Sequence, residues 1–83
     1  MSLFMDVHTI TDGVDPADVA AAHSADLATQ GDLGVNYLRY WVDGPAGKIF
    51  CLVDAPDAEA ANEVHRKAHG LVADEIYRVS EHA

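Results

Sequence analysis

The sequence predicts an α+β protein with the ferredoxin-like fold, because its predicted elements follow the order strand, helix, strand, strand, helix, strand. Short apolar and alternating segments mark the strands, and two alanine-rich segments that follow aspartate and proline mark the helices. The two halves of the chain have similar strand-helix-strand layouts without an exact repeat. This topology gives one four-stranded antiparallel sheet with both helices on one face. We expect residues 1–83 to form a single domain.

The first half of the chain contains the first strand and the first helix. Residues 4–10 alternate between apolar and polar side chains, and a turn sequence follows them, which predicts a strand. Asp15 can cap the helix that comes next, and Pro16 suits the first helical position. The helix is predicted to continue to Gln30, where nearby glycines end it.

The second half of the chain contains a hairpin, a helix and a last strand. Residues 35–42 are rich in β-branched and aromatic side chains, and a five-residue turn separates them from a second strand at residues 48–53. Asp57 is the expected cap of the second helix, which continues to about His69 before a glycine. Residues 76–79 are predicted to form the last strand.

The first strand of the hairpin carries large apolar side chains on both faces. Strict alternation places its side chains in two sets, one of Tyr37, Arg39 and Trp41 and one of Leu38, Tyr40 and Val42. The helices cover one face of the sheet only, so the other face needs a second cover. A second copy of the chain is the simplest cover, and we therefore expect a homodimer through the open sheet face.

Composition excludes several classes of partner. Fourteen acidic residues against five basic residues give a net charge of −9, which argues against binding nucleic acid or an anionic membrane surface and suits attraction of cations. A single cysteine cannot form an internal disulfide. No apolar segment reaches about 18 residues, so no membrane span is expected, and no signal peptide is expected either. The expected location is the cytoplasm.

Histidines on the two predicted helices indicate a metal site. His65 and His69 lie four residues apart, so both imidazoles project from one face of the second helix, about one turn apart. His23 lies on or beside the core-facing side of the first helix, which packs next to the second. Cys51 lies on an inner strand and can rise beneath these rings. Three imidazoles with a thiolate or the Asp26 carboxylate suit Ni(II), Zn(II), Co(II) or Cu(II).

The same histidines and cysteine also have explanations that need no metal. Two histidines at this spacing are common on helices by chance, and a free cysteine such as Cys51 is often a small buried apolar residue. His8 alternates with Asp6 and Phe4, so it can line the open sheet face instead. A Cys51–histidine nucleophile pair is also conceivable, but the apolar residues around this cysteine raise a thiol pKa and so disfavour catalysis.

The chain resembles a small family of bacterial nickel-binding proteins, best represented in actinomycetes and formerly catalogued as a domain of unknown function. The matching stretches are residues 22–27, 40–43, 47–56 and 64–74, and the most specific is His-Arg-Lys-Ala-His-Gly-Leu at residues 65–71. The resemblance implies a ferredoxin-like homodimer that binds Ni(II) largely through histidine, without established catalysis. Its metal-ligand candidates, in order of preference, are His65, His69, His23, His8 and Cys51.

The leading functional hypothesis is therefore a non-catalytic nickel-binding protein that sequesters, delivers or senses the ion, with Zn(II), Co(II) or Cu(II) as other possible ligands. The first alternative is a dimeric α/β-barrel enzyme acting on a small organic molecule. That enzyme would need an apolar cavity of roughly 300 Å3 or more beside His23 or Cys51. The second alternative is a plain dimerisation module, which needs neither a metal nor a cavity.

Overall fold

The structure, a computed structural model, describes residues 2–83 and confirms the predicted order of elements. The strands and helices are β1 Ser2–Thr9, α1 Pro16–Thr29, β2 Asn36–Asp43, β3 Lys48–Ala55, α2 Ala58–Ala68 and β4 Glu75–Arg78, with a short 3-10 helix at Gln30–Leu33. The strands pair antiparallel in the order β2-β3-β1-β4. The chain therefore has the ferredoxin-like α+β fold.

The helices begin where their capping residues predict. Asp15 Oδ1 accepts a hydrogen bond from the Ala17 amide at 2.9 Å, and Asp57 Oδ1 accepts one from the Ala60 amide at 2.7 Å. Each carboxylate thus satisfies an amide that the first turn of a helix leaves without a partner. α1 ends at Thr29 with Gln30 as its C-cap, within one residue of the prediction, and a 3-10 turn then continues to Gly34, whose φ is +65°.

A β-bulge at Leu38 overturns the strict alternation expected along β2. The pairing with β3 shifts between Tyr37 and Arg39, so Tyr37 lies opposite Val53 while Tyr40 lies opposite Cys51. The extra residue moves every later side chain of the strand to the other face. Tyr37 and Tyr40 consequently share the face that the helices cover.

The hydrophobic core lies between the sheet and the two helices. Its buried members are Phe4, Val19, Val35, Tyr37, Ile49, Cys51, Val53, Ala55, Ala61 and Val64. Leu27 and Leu71 do not belong to this core, since they are 45% and 44% exposed. In α1 the inward position belongs to Asp26, and a rotation of about 100° per residue then turns Leu27 toward solvent.

The sheet face opposite the helices retains exposed apolar surface. Trp41 is 47% exposed and Tyr77 is 51% exposed, and the groove next to Trp41 is lined in part by Leu3 and Met5. Such a surface is typical of a face that a partner covers. Within residues 2–83, neither helix combines the length and apolar character that crossing a membrane requires.

Candidate metal centre

Polar and ionisable side chains occupy the middle of the core, between β1 and the two helices. We call Asp6, His8, Asp26, Tyr37, Cys51, His65 and His69 the buried cluster. Asp6 and His8 occupy alternate positions of β1 and share the helix-facing side with Phe4. His65 follows Val64 in α2 and is buried almost as deeply. Burial of charged groups is costly unless they are paired, and the cluster pairs them.

The His65 ring lies between two carboxylates. Its Nδ1 atom is 3.0 Å from Asp26 Oδ1, and its Nε2 atom is 2.9 Å from Asp6 Oδ2. The Nε2 atom also lies 2.8 Å from the Tyr37 hydroxyl oxygen and 3.3 Å from His8 Nε2. One ring nitrogen offers a single hydrogen or a single lone pair, so it cannot serve three neighbours at once. This crowding of donor atoms is a property expected of a cation site.

The carboxylates set the protonation of His65 in the metal-free protein. Burial lowers the pKa of His65, but hydrogen bonds to Asp26 and Asp6 outweigh it and raise that pKa to about 9. Burial raises the pKa of Asp6, but the hydrogen bond from His65 and the neighbouring His8 imidazole outweigh it and hold that pKa below its usual range. At neutral pH an imidazolium therefore lies between two carboxylates.

Burial has the opposite consequence for the hydroxyl and thiol groups of the cluster. It raises the pKa of Tyr37 and the pKa of Cys51, and the nearby Asp6 carboxylate raises both pKa values further. Without a bound cation, both groups consequently keep their protons at neutral pH. The sequence-based expectation that apolar surroundings raise the thiol pKa agrees with this result.

His69 lies at the edge of the cluster, with its side chain 18% exposed. Its Nε2 atom is 3.0 Å from Asp26 Oδ1, the same oxygen that His65 Nδ1 contacts. Burial is the main cause that lowers the pKa of His69, so its ring is neutral near pH 7 and has a lone pair available for a metal. The two helix histidines thus meet at one carboxylate oxygen.

The buried cluster contains two groups of residues that could hold a metal ion. Within each group, the potential ligand atoms all lie within 4.8 Å of one another. The inner group is Asp6, His8, Cys51 and His65, and the outer group is Asp26, His65 and His69. Donors at about 2.1 Å from a metal ion are about 3 Å apart when they occupy neighbouring octahedral positions. The nitrogen–oxygen distances around His65 match this spacing.

Two buried polar atoms of the inner group provide a further test of whether these residues fit a metal ion. Among residues 2–83, Asp6 Oδ1 and His8 Nδ1 are buried without a hydrogen-bond partner. Asp6 Oδ1 is 3.2 Å from His8 Nε2, in a geometry that does not make a hydrogen bond. Unsatisfied buried polar atoms are costly, and a coordinated cation would satisfy the carboxylate oxygen. The residues present therefore fit a divalent transition-metal ion.

The structure brings some of the metal-ligand candidates predicted from the sequence together and leaves others apart. His8 faces the helices rather than the open sheet face, and it joins His65 and Cys51 in the inner group. His23 stacks on Tyr40, with ring centroids 4.7 Å apart, and belongs to neither donor group within residues 2–83.

Sequence reasoning did not propose Asp6 or Tyr37 for the site. Asp6 carried a usable signal, because it lies between Phe4 and His8 on one face of a predicted strand. Tyr37 carried none, since its position depends on the bulge that follows it.

A small cavity lies beside the cluster. His23, Tyr40, Ile49, Cys51, His69 and Leu71 are among its lining residues. Its volume is about 100 Å3, well below the roughly 300 Å3 that a site for a small organic substrate would need. A few water molecules or a single metal aqua complex fit a space of this size better than an organic substrate does.

Two comparisons with known proteins agree with this fold. A family model described as nickel responsive protein SCO4226-like matches residues 4–79. Among solved structures, the chain is similar to SCO4226 from Streptomyces coelicolor A3(2), with 41% sequence identity and a TM-score of 0.90. This similarity covers 99% of this chain and 100% of the other chain. Among curated proteins, none matches the chain significantly.

Proposed function

The chain belongs to the nickel-responsive protein SCO4226-like family, and from this premise we propose that it binds nickel(II) without catalysing a reaction. Zn(II), Co(II) and Cu(II) are the competing ions, because imidazole, thiolate and carboxylate donors suit all of them. The observation that carries the proposal is the convergence of the cluster on His65, with a crowded ring nitrogen and buried polar atoms left unpaired. Reversible binding at this site suits sequestration, delivery or sensing of the ion.

The proposed ligands divide between the two donor groups. His8 and His65 provide imidazole nitrogens in the inner group, Asp6 provides a carboxylate oxygen, and Cys51 provides sulfur once a metal displaces its proton. His69 is the proposed ligand at the cavity side of the cluster. His23 lines the cavity, where we propose that it contacts the hydrated ion on entry rather than binding it permanently.

Titration calorimetry tests the proposal directly. Chelator-stripped protein is titrated with Ni(II) and then with Zn(II) at about pH 7.5, where neutral imidazole competes well with protons. The double variant His65→Ala/His69→Ala should lose about 100-fold or more in nickel affinity, because it removes ligands from both groups. The matched control is His82→Ala, which removes an exposed histidine near the end of the chain and should bind as the wild type does.

Removal of His65 also leaves Asp6 and Asp26 without their cation, so this variant can lose its fold. Cys51→Ala is the milder second variant, since it removes one donor and only a small volume. Circular dichroism establishes that each variant is folded before its affinity is compared. Nickel binding at full affinity by the folded double variant would refute the proposed site.

A second copy of the chain is the proposed partner. The exposed apolar side chains of the open sheet face, among them Trp41 and Tyr77, support burial against an identical face. A homodimer formed in this way leaves the buried cluster on the opposite side of each sheet, so each protomer keeps a complete set of ligands.

A binding role and a cytoplasmic location are also proposals. The small cavity and the raised pKa of Cys51 favour binding over nucleophilic catalysis. The free Cys51 thiol suits the cytoplasm, where cysteines remain reduced and available to a metal.

A further inference from the structure

We propose that residues 70–73 form a movable lid over the cavity, and that this lid is released when His69 becomes a metal ligand. The proposal rests on the proposed function, because the release requires His69 to bind a cation. It extends that function by assigning a conformational change to the segment that connects α2 to β4. A change of this kind is what the sensing or delivery of an ion requires.

The lid lies at the mouth of the cavity. Leu71 lines the cavity together with His23 and His69, yet 44% of it is exposed, so its side chain borders both the cavity and solvent. Gly70 begins the lid with a φ of +83°, a conformation that glycine adopts without strain. Residues 70–72 are all exposed, and segments with few buried contacts open locally at low cost.

Hydrogen bonds from backbone amides hold the lid closed. At one end the Gly70 amide donates to a carbonyl oxygen of α2 at 2.8 Å, and at the other the Ala73 amide donates to Asn62 Oδ1 at 2.9 Å. Between these anchors, the Leu71 amide donates to His69 Nδ1 at 3.1 Å. The middle of the lid is therefore held by the ring of a proposed metal ligand.

The His69 ring cannot keep this hydrogen bond and also bind a cation as a neutral ligand. A neutral imidazole has one lone pair and one N–H. Since Nδ1 accepts from the Leu71 amide, the ring proton is on Nε2, which lies 3.0 Å from Asp26 Oδ1. A bond from Nδ1 to a cation would use the lone pair that the amide needs. A bond from Nε2 would send its proton to solvent and require Nδ1 to take one from solvent, so that Nδ1 becomes a donor facing the Leu71 N–H.

Either mode of ligation thus breaks the contact between His69 and Leu71. The coupling is reciprocal, because a closed lid stabilises the ring in its metal-free form and an open lid favours ligation. The lid thereby gives the protein surface at Leu71 and Val72 two states, and ligation inside the protein selects between them.

Hydrogen exchange of single amides tests the release. Chelator-stripped and Ni(II)-saturated full-length protein are compared by mass spectrometry with fragmentation that resolves individual amides. The Leu71 amide should exchange roughly fivefold faster or more in the saturated protein, since it loses its hydrogen-bond acceptor. The Gly70 amide is the matched control, because its acceptor is a backbone carbonyl, and its exchange should not accelerate.

The transfer of nickel to an excess of chelator, followed by stopped flow, tests whether the lid covers the cavity. Leu71→Ala keeps the amide but shortens the side chain at the mouth, so the uptake and the release of nickel should both accelerate several-fold with little change in affinity. Val72→Ala is the matched control. Val72 is 37% exposed and, within residues 2–83, is not among the residues that line the cavity.

The outcomes separate this proposal from the proposed function. Exchange at Leu71 that stays level or slows with nickel, or that accelerates equally at Gly70, would overturn the release of the lid and leave metal binding intact. Equal rates of nickel transfer in the two folded variants would overturn the position of the lid over the cavity. Failure of the wild type to bind nickel in the calorimetric titration would overturn the proposed function itself.

Discussion

Tyr37 illustrates how single residues hold the buried cluster together. Its hydroxyl donates to Asp6 Oδ2 at 2.6 Å and lies 2.8 Å from His65 Nε2, so it joins the strand carboxylate to the helix imidazole. Hydrogen bonds to charged groups contribute more to stability than neutral ones, particularly where water is excluded. The aromatic ring of Tyr37 also packs in the core, so the hydroxyl can be removed without removing the packing.

Replacement of Tyr37 by Phe should lower the free energy of unfolding by about 2 kcal/mol, because Asp6 loses a charge-assisted hydrogen bond. Urea unfolding of the metal-free protein measures the change. The matched control is Tyr77→Phe, whose hydroxyl donates to Glu75 at an exposed position and should contribute far less to stability. Equal effects at the two tyrosines would contradict the role given to Tyr37.

The His65 imidazolium predicts how the stability of the metal-free protein changes with pH. The folded-state pKa is about 9, above the ordinary value of 6.5, so protonation stabilises the fold fully below pH 6.5. This stabilisation, on the order of 3 kcal/mol, is lost as the pH rises from 6.5 through about 9. Asp6 has the opposite effect on the pH profile. Its pKa is lowered, so its ionised carboxylate stabilises the fold above pH 3.8, and this contribution is lost as the pH falls below that value.

Urea midpoints measured across this range after chelation check the prediction, and NMR titration of the His65 ring assigns the proton. The expected profile is a maximum of stability on the weakly acidic side, up to about pH 6.5, followed by a decline on the alkaline side. A profile that stays level up to about pH 9 would show that His65 is not held as an imidazolium.

At the scale of elements, two irregular segments position the cluster. The bulge at Leu38 turns Tyr37 and Tyr40 to the same side, which brings the Tyr37 hydroxyl to Asp6. The hairpin turn then packs against the end of β1, where the Ile10 amide donates to the Gly47 carbonyl at 2.7 Å. This contact connects the hairpin to the strand that carries His8.

Replacement of Gly47 by Ala should destabilise the protein by roughly 2 to 4 kcal/mol, since strained backbone and a steric clash add together. Gly47 has a φ of +67°, and a Cβ atom there would come within 1.9 Å of the Ile10 carbonyl oxygen. Thermal unfolding measures the loss. Gly31→Ala is the control, because no atom lies within 4 Å of its added Cβ, and it should be neutral or slightly stabilising. Comparable losses at both glycines would argue against the close approach at Gly47.

At the scale of the whole molecule, the two sheet faces have different roles. The helix-covered face encloses the polar cluster, and the open face exposes Trp41 and Tyr77. A net charge of −9 attracts cations and also opposes association of the protein with itself, so an apolar surface is needed to hold two copies together. The homodimer proposal therefore depends on the open face alone.

Replacement of Trp41 by Asp should convert a dimer into a monomer, because it places a charge in the middle of the apolar face. Sedimentation equilibrium measures the association. Leu27→Asp is the matched control, since Leu27 is similarly exposed but lies on α1, away from the open face. A wild type that sediments as a monomer, or a dimer that only the Leu27 variant disrupts, would contradict this interface.

The sequence by itself determined the order of the elements, the helix starts at Asp15 and Asp57, and the pairing of His65 with His69. These features depend on residues close together in the chain, where capping, turn chemistry and helical spacing act. The family resemblance rested on the same local motifs, above all on residues 65–71, and the comparison confirmed it.

Only the tertiary structure decided which residues complete the cluster. His8 and His65 are 57 positions apart, and Asp6 and Tyr37 are 31 apart, so no local pattern specifies their contacts. The bulge at Leu38 reverses the faces of the later part of β2, and the inward orientation of Asp26 brings its carboxylate to His65 and His69. The physical reason is that burial of paired charges depends on groups from several elements meeting at one point, which the packing of helices on the sheet determines.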